Sequence, residues 1–84
     1  MGEQLLTEIV VETLKMAASD DPYLMASFPL HEWEKTEKAE WIKQRARVQA
    51  TYICTPNMQM GYDIIISAEL DREDQIEFVL RWGA

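Results

Sequence analysis

His31 and Cys54 are the only imidazole and the only thiol in this chain of 84 residues, so a catalytic reading starts with them. A Cys–His pair performs nucleophilic chemistry when the base lies within hydrogen-bond reach of the sulfur. Neither residue stands in a family signature, and an isolated Cys most often packs as a small apolar side chain. We therefore interpret Cys54 as a packing residue and His31 as a residue near a helix start, and we predict no catalytic residue.

Metal and cofactor motifs are incomplete in the same way. His31-Glu32 begins the zinc pattern His-Glu-x-x-His, but Lys35 occupies the position of the second histidine. The acidic run at residues 69–74 lacks the central glycine of a calcium loop, and a helix start explains these acids better. Glycine occurs only at positions 2, 61 and 83, so no phosphate-binding loop can be built. The sequence predicts a non-enzymatic protein without a cofactor or a metal.

The carboxylates are concentrated in two blocks near the ends of the chain. Residues 1–21 hold five acids against Lys15, and residues 69–77 hold five acids against Arg72. The basic residues cluster between them, as Lys43, Arg45 and Arg47. A net charge of −7 and a pI near 4.5 disfavour nucleic acid and anionic membranes and favour a partner with a basic surface.

This charge layout suggests a small acidic adaptor, regulator or inhibitor that binds another protein. A sharper hypothesis is that its carboxylates mimic phosphates and occupy a nucleic-acid-binding groove of the partner. The predicted partner-binding residues are Glu3, Glu8, Glu12, Glu73, Asp74, Glu77 and Met58. The alternatives are an assembly protein that forms homo-oligomers, such as a dimer, through a hairpin edge, and acidity that serves solubility alone.

Length and composition predict one compact domain over residues 1–84. Hydrophobic residues make up 48% of the chain, and no apolar segment approaches the ~20 residues of a membrane span. A single cysteine allows no intramolecular disulfide, and the N-terminus lacks the basic region of a secretory signal. We expect a cytoplasmic protein.

The first half of the chain has helical patterns. Apolar spacing predicts an N-terminal helix from about residue 3 to 18, with Val11 off its main stripe. Asp21 followed by Pro22 predicts a helix start, and Pro29 predicts that this short helix ends at Phe28. A further helix over residues 31–44 would place its two Trp residues, 33 and 41, on one face.

The second half begins with alternating apolar residues on both sides of Pro56-Asn57, which predicts an antiparallel hairpin at about 45–55 and 59–69. Residues that pair across a hairpin must share a face, so the loop must hold an odd number of residues. With the loop centred on Asn57, Tyr52 would pair with Tyr62 and Arg45 with Glu69.

Residues 71–82 fit either a C-terminal helix or a third strand of a β-meander. Asp71 is a suitable N-cap, Arg81 lies in the last turn and Gly83 follows it, and these features favour the helix. The predicted fold is therefore α+β: an N-terminal helix, a short turn and a Trp-bearing helix, the hairpin and the C-terminal helix.

Overall fold

The computed structural model of the chain describes residues 7–46 and 48–83, which form a three-stranded antiparallel sheet with three helices on one of its faces. In chain order the elements are β1 (Thr7–Ala17), α1 (Pro22–Trp33), α2 (Glu37–Arg45), β2 (Thr51–Pro56), β3 (Gly61–Leu70) and α3 (Arg72–Trp82). The strand order is β1-β3-β2, so the last strand in the chain is the central one. The α+β class is confirmed. None of these helices is long and apolar enough to cross a membrane.

The core lies between the inner face of β3 and the helices. Every second residue of β3 from Ile64 to Leu70 is buried, and the helices contribute Ala26, Leu30, Trp41, Ile42 and Phe78. Trp41 packs edge-on against Trp82 with ring centroids 5.3 Å apart. No helix of the described residues covers the other face of the sheet, where Ile53 is half exposed.

The predicted N-terminal helix is wrong for the described residues, because residues 7–17 form the edge strand β1; residues 3–6 lie outside the described part of the chain. The segment is rich in β-branched residues, which are stiff and favour strands. A β-bulge between Val10 and Glu12 adds one residue to the strand. This extra residue interrupts the period-two pattern and produces spacings of three and four that resemble a helix. Val11, at the bulge, is buried.

The helices in the middle of the chain divide differently from the prediction. Asp21 caps α1 by accepting from the Leu24 N–H, as predicted, but α1 continues through Pro29 to Trp33. Proline removes one N–H donor from a helix, and here this loss does not end it. Thr36 then caps α2, its hydroxyl accepting from the Ala39 N–H and donating to the Trp33 carbonyl. The single helix over 31–44 is therefore wrong.

Trp33 and Trp41 consequently belong to two helices and do not share one helix face. Trp41 is buried in the core, and Trp33 packs against the edge of the core while remaining half-buried.

The hairpin is present, with shifted strand bounds and a shifted register. The β2 strand begins only at Thr51 and is shorter than predicted. Tyr52 pairs with Ile66 and Pro56 with Tyr62, so the loop has an odd number of residues, as predicted, but is centred on residue 59. The pairings of Tyr52 with Tyr62 and of Arg45 with Glu69 are wrong.

Asn57 explains the longer loop. Its side-chain oxygen accepts from the N–H groups of Gln59 and Gly61, and its Nδ2 donates to Asp63 Oδ1 at 3.0 Å. These hydrogen bonds replace a tight turn with a wider one, in which Met60 adopts a positive φ of 61°.

The C-terminal helix is confirmed, and the meander alternative is wrong. Asp71 Oδ1 accepts from the Asp74 N–H at 2.9 Å, and Gly83 ends the helix with a φ of 82°. The third strand of the sheet comes from the N-terminal segment.

Candidate functional site

The Cys54 thiol on β2 and the His31 imidazole on α1 lie apart, because Cys54 contacts the first turn of α1 and His31 belongs to its last turn. The Cys54 N–H donates to the Tyr23 hydroxyl at 3.3 Å, and its sulfur lies 3.8 Å from the Pro22 carbonyl oxygen. His31 lies in the last turn of the same helix, about 13 Å along the axis from Pro22 at 1.5 Å per residue. Burial raises the pKa of Cys54, which disfavours its thiolate. Among the described residues, the sulfur has its hydrogen-bond contact with the Pro22 carbonyl oxygen and not with a base.

The acids predicted for the N-terminal segment point to opposite faces of the sheet. Glu8 lies on the open face, directly across from Glu69 of β3. Glu12, beyond the bulge, lies across from Ile66 on the helix-covered face. There its carboxylate accepts from Lys38 Nζ at 2.8 Å. Glu3 lies outside the described residues.

Two of the three acids predicted on α3 are paired with cations. Asp74 lies 3.8 Å from Arg45 Nε, and Glu77 lies 3.6 Å from Arg81 Nε, whereas Glu73 is exposed. Burial raises the pKa of Asp74 above its ordinary value, and the nearby Asp71 carboxylate raises it further, against the lowering effect of Arg45.

The structure therefore brings Glu73, Asp74 and Glu77 together on one helix but places Glu8 on the open face of the sheet. The premise that both groups of acids lie on helices is wrong, because Glu8 and Glu12 belong to the strand β1.

Met58 lies at the hairpin tip and is fully exposed, and Met60 is largely exposed. Cys54, two residues before the end of β2, contacts Pro22 at the start of α1. The tip and the first turn of α1 thus lie at the same end of the molecule.

An exposed apolar surface on α1 was not predicted from the sequence. Leu24, Met25 and Phe28 are exposed on α1 to 62%, 44% and 64%; we name these three residues the α1 face. They lie at i, i+1 and i+4, on the side of the helix opposite the buried Ala26 and Leu30. A helix that is apolar on all sides is normally buried on all sides, and α1 is not.

The signal was present in the sequence. Residues 22–30 read Pro-Tyr-Leu-Met-Ala-Ser-Phe-Pro-Leu, with a single polar residue. All three residues of the α1 face lie within the predicted short helix, but Leu30 and Trp33, which mark the side that faces the core, lie beyond its predicted end.

A second apolar stripe runs along α3. Ile76, Val79 and Leu80 are exposed to 53%, 46% and 80% and lie at i, i+3 and i+4; we name them the α3 face. Glu73 and Glu77 border this stripe on one side by helical spacing. The α1 face also has acidic neighbours, with Asp21 before it and Glu32 after it.

An open cleft of about 710 Å³ lies between α1, α2 and the segment that leads into β2. Leu30, Ile42 and Ile66 form apolar parts of its wall, and the cations Lys35 and Lys43 are also among its lining residues. Its size suits a small ligand, but these cations are exposed. Among its lining residues, the Trp33 indole N–H is buried and has no hydrogen-bond partner in the described part of the chain.

Comparisons of the chain with protein-family models, with curated proteins and with solved structures give no significant match. Within residues 7–46 and 48–83, no group of three or more His, Cys, Asp or Glu side chains is placed to hold a metal ion. The functional interpretation therefore rests on the surfaces described above.

Proposed function

We propose that this protein is a small non-enzymatic interaction module that binds another protein through the α1 face. The observation that carries this proposal is the exposure of Leu24, Met25 and Phe28 side by side on one helix. Three large apolar side chains at helical spacing form an anchor of the kind that enters an apolar groove on a partner. Scattered single apolar residues would need no such explanation.

The charge around the face specifies the partner further. Asp20 and Asp21 are exposed before the face, and Glu32 and Glu34 are exposed after it, while Lys35 is a basic residue nearby. Together with the net charge of −7, this supports a partner whose apolar groove has a basic rim. The first contact would be steered by charge, and the apolar anchors would then hold the complex.

Capture from an extract of the native host tests the proposal with three forms of the protein. The first is the wild type, the second carries Leu24→Ser and Phe28→Ser, and the third carries Ile76→Ser and Leu80→Ser on the α3 face. All four side chains are at least half exposed, so both double variants should fold. We expect a protein that the wild type and the α3 variant retain and that the α1 variant loses.

The interaction must then be reproduced with the purified partner by calorimetry. The loss of two central apolar anchors should weaken binding at least about 30-fold, which corresponds to roughly 2 kcal/mol. If the wild type and the α1 variant retain the partner equally, the assignment of the binding site to the α1 face is contradicted. If only the α3 variant loses the partner, the binding site is the α3 face.

Phosphate mimicry is a narrower proposal with less support. Glu12, Asp74 and Glu77 each have a cation within 4 Å, so they offer a partner less free charge than their number suggests. Binding that falls steeply with salt and is displaced by DNA supports mimicry, and binding that is insensitive to salt contradicts it.

A further inference from the structure

The outer edge of β1 is a free pairing surface. β1 is 11 residues long and has β3 on one side, and no described residue pairs with its other side. The opposite edge of the sheet is shorter and partly covered, because β2 has six residues and its Cys54 N–H already donates to Tyr23. An edge strand of this length presents a row of N–H and C=O groups that another strand can pair with.

The bulge changes which residues of β1 point to the open face of the sheet. Before it, Glu8 and Val10 point to the open face, opposite Glu69 and Ser67. After it, the parity changes, and Thr13 and Lys15 point to that face, opposite Ile65 and Asp63. The side chains of the two halves are thus out of step by one residue.

We propose that two copies of this chain form a dimer by antiparallel pairing of β1 with β1, about a two-fold axis between Val11 and Glu12. In this register residue 8 lies opposite residue 15 of the second copy, 9 opposite 14, and 10 opposite 13. Such pairing of even with odd positions would mix the faces of a regular strand. The bulge removes this conflict.

The three pairs on each side of the axis are complementary on both faces. On the open face Glu8 meets Lys15 of the second copy, and Val10, which is 57% exposed in the single chain, meets Thr13. On the helix-covered face Ile9 meets Leu14. Opposite charges and β-branched pairs across neighbouring strands are the contacts that stabilise a sheet.

The backbone hydrogen-bonding groups of β1 are also compatible with this register. Residues of β1 that share a face also share their position in the ladder with β3, on both sides of the bulge. In an antiparallel ladder that position decides whether the N–H and C=O groups point toward the neighbouring strand or away from it. The proposed register places residues with the same ladder position opposite each other. The N–H and C=O groups that point away from β3 in one copy therefore face the corresponding groups of the second copy.

The single chain also contains a defect that the dimer repairs. Glu8 and Glu69 lie directly across from each other on β1 and β3, and like charges in this position are destabilising. In the dimer, Lys15 of the second copy lies next to Glu8. That lysine then stands between two carboxylates, its own Asp63 at 3.3 Å and Glu8 across the interface.

Charge reversal tests both the dimer and its register by sedimentation equilibrium in about 0.15 M salt. Glu8→Lys and Lys15→Glu each put like charges together twice in the dimer, and we expect each to weaken self-association about tenfold or more. An equimolar mixture of the two variants restores both ion pairs, so we expect a heterodimer about as tight as the wild-type dimer.

Matched controls have the same charge changes away from β1. Glu73→Lys on α3 and Lys43→Glu on α2 are both exposed sites, and we expect neither to change self-association by more than about twofold. Glu8→Lys also removes the like-charge contact with Glu69, so its single chain should be at least as stable as the wild type in denaturant unfolding.

Oxidative cross-linking gives a second readout, in a Cys54→Ala background. A mixture of Val10→Cys and Thr13→Cys chains should form a disulfide-linked heterodimer, because these positions are directly opposite in the proposed register. A wild type that remains at 9.8 kDa up to millimolar concentration overturns the proposal. So does a dimer that neither variant weakens, or a mixture that restores nothing. This interface does not use the α1 face, so it can fail while partner binding persists.

Discussion

Lys38 Nζ and Glu12 Oε1 lie 2.8 Å apart and connect the edge strand β1 to α2. Both side chains are more than two-thirds covered, and Glu12 stands among apolar residues on the helix-covered face of the sheet. Lys38 also lies 5.2 Å from the centre of the Phe78 ring. The pair therefore holds β1 against the helical layer from the side that the hydrogen bonds of the sheet do not reach.

Removal of this lysine should destabilise the fold. We expect Lys38→Met to lower the free energy of unfolding by about 1 kcal/mol, because it leaves Glu12 without its cation in a half-buried place. A double-mutant cycle with Glu12→Gln in urea should give a coupling of about 0.5–1 kcal/mol. The exposed pair of Lys35 with Glu32 is the control, with Lys35→Met costing less than about 0.5 kcal/mol. Equal costs at the two lysines would contradict this role.

Two isoleucines on the same sheet should respond very differently to truncation. Ile64 is fully buried between β3 and the helices, and Ile53 on β2 is 52% exposed on the open face. Ile64→Ala should cost about 3–4 kcal/mol in denaturant unfolding, from lost burial and the cavity left behind. Ile53→Ala should cost less than about 1 kcal/mol. Similar losses would mean that the open face is covered in solution, as a second layer would cover it.

Two glycines should also differ, for different physical reasons. A Cβ on Gly61 would collide with the backbone carbonyl oxygen of Met16 on the neighbouring strand, so β1 and β3 would have to separate there. We expect Gly61→Ala to cost more than about 2 kcal/mol. Gly83 has open space around it, but its φ of 82° is unfavourable for other residues, and Gly83→Ala should cost about 1 kcal/mol. Thermal unfolding ranks the two variants, and the reverse order would contradict the close approach of the strands.

The hairpin tip should show a defined acid sensitivity. The hydrogen bond from Asn57 holds the pKa of Asp63 below its ordinary value, and Lys15 contributes in the same direction against partial desolvation. Because the folded pKa is lowered, the stability that Asp63 contributes is complete above its ordinary pKa of 3.8 and is lost as the pH falls through the lower, folded value.

Asn57→Ala should therefore raise the pKa of Asp63 toward its ordinary value. The free energy of unfolding should then depend less on pH in the acid range. Carboxyl carbon chemical shifts measured by NMR during a pH titration report this pKa directly. Lys15→Met is the comparison and should raise the pKa less, because the Asn57 hydrogen bond is the largest cause. An unchanged pKa in Asn57→Ala would exclude the hydrogen bond as that cause.

The sequence predicted those elements whose ends carry local chemical signals. Asp21 and Asp71 both cap helices as expected, and Gly83 ends the last one. These features depend on hydrogen bonds within a few residues, so the sequence alone contains them. The parity of the hairpin loop was predictable for a similar reason, since alternation on both strands restricts it.

The errors arose where distant contacts decide the structure. The segment 7–17 is a strand because it pairs with β3, which is distant in the chain, and its bulge hides the alternation that would have indicated this. The α1 face was not predicted, although its three residues lie within the predicted short helix, because Leu30 and Trp33, which define the side that faces the core, lie beyond Pro29. Packing against the sheet decides which side of this helix stays exposed, and that packing depends on residues distant in the chain.

The strand order has a consequence for how this chain reaches its native state. β3 is the last strand in the chain and the central one in the sheet, so β1 has no strand to pair with until nearly the whole chain is available. Thr7 must find Leu70, which requires closure of a loop of more than 60 residues, whereas β2 and β3 meet across a short one. We expect the hairpin to form early and the docking of β1 to limit the folding rate. Until then the edge of β3 that β1 will occupy is itself unpaired, and this interval is when the chain is most exposed to misassembly.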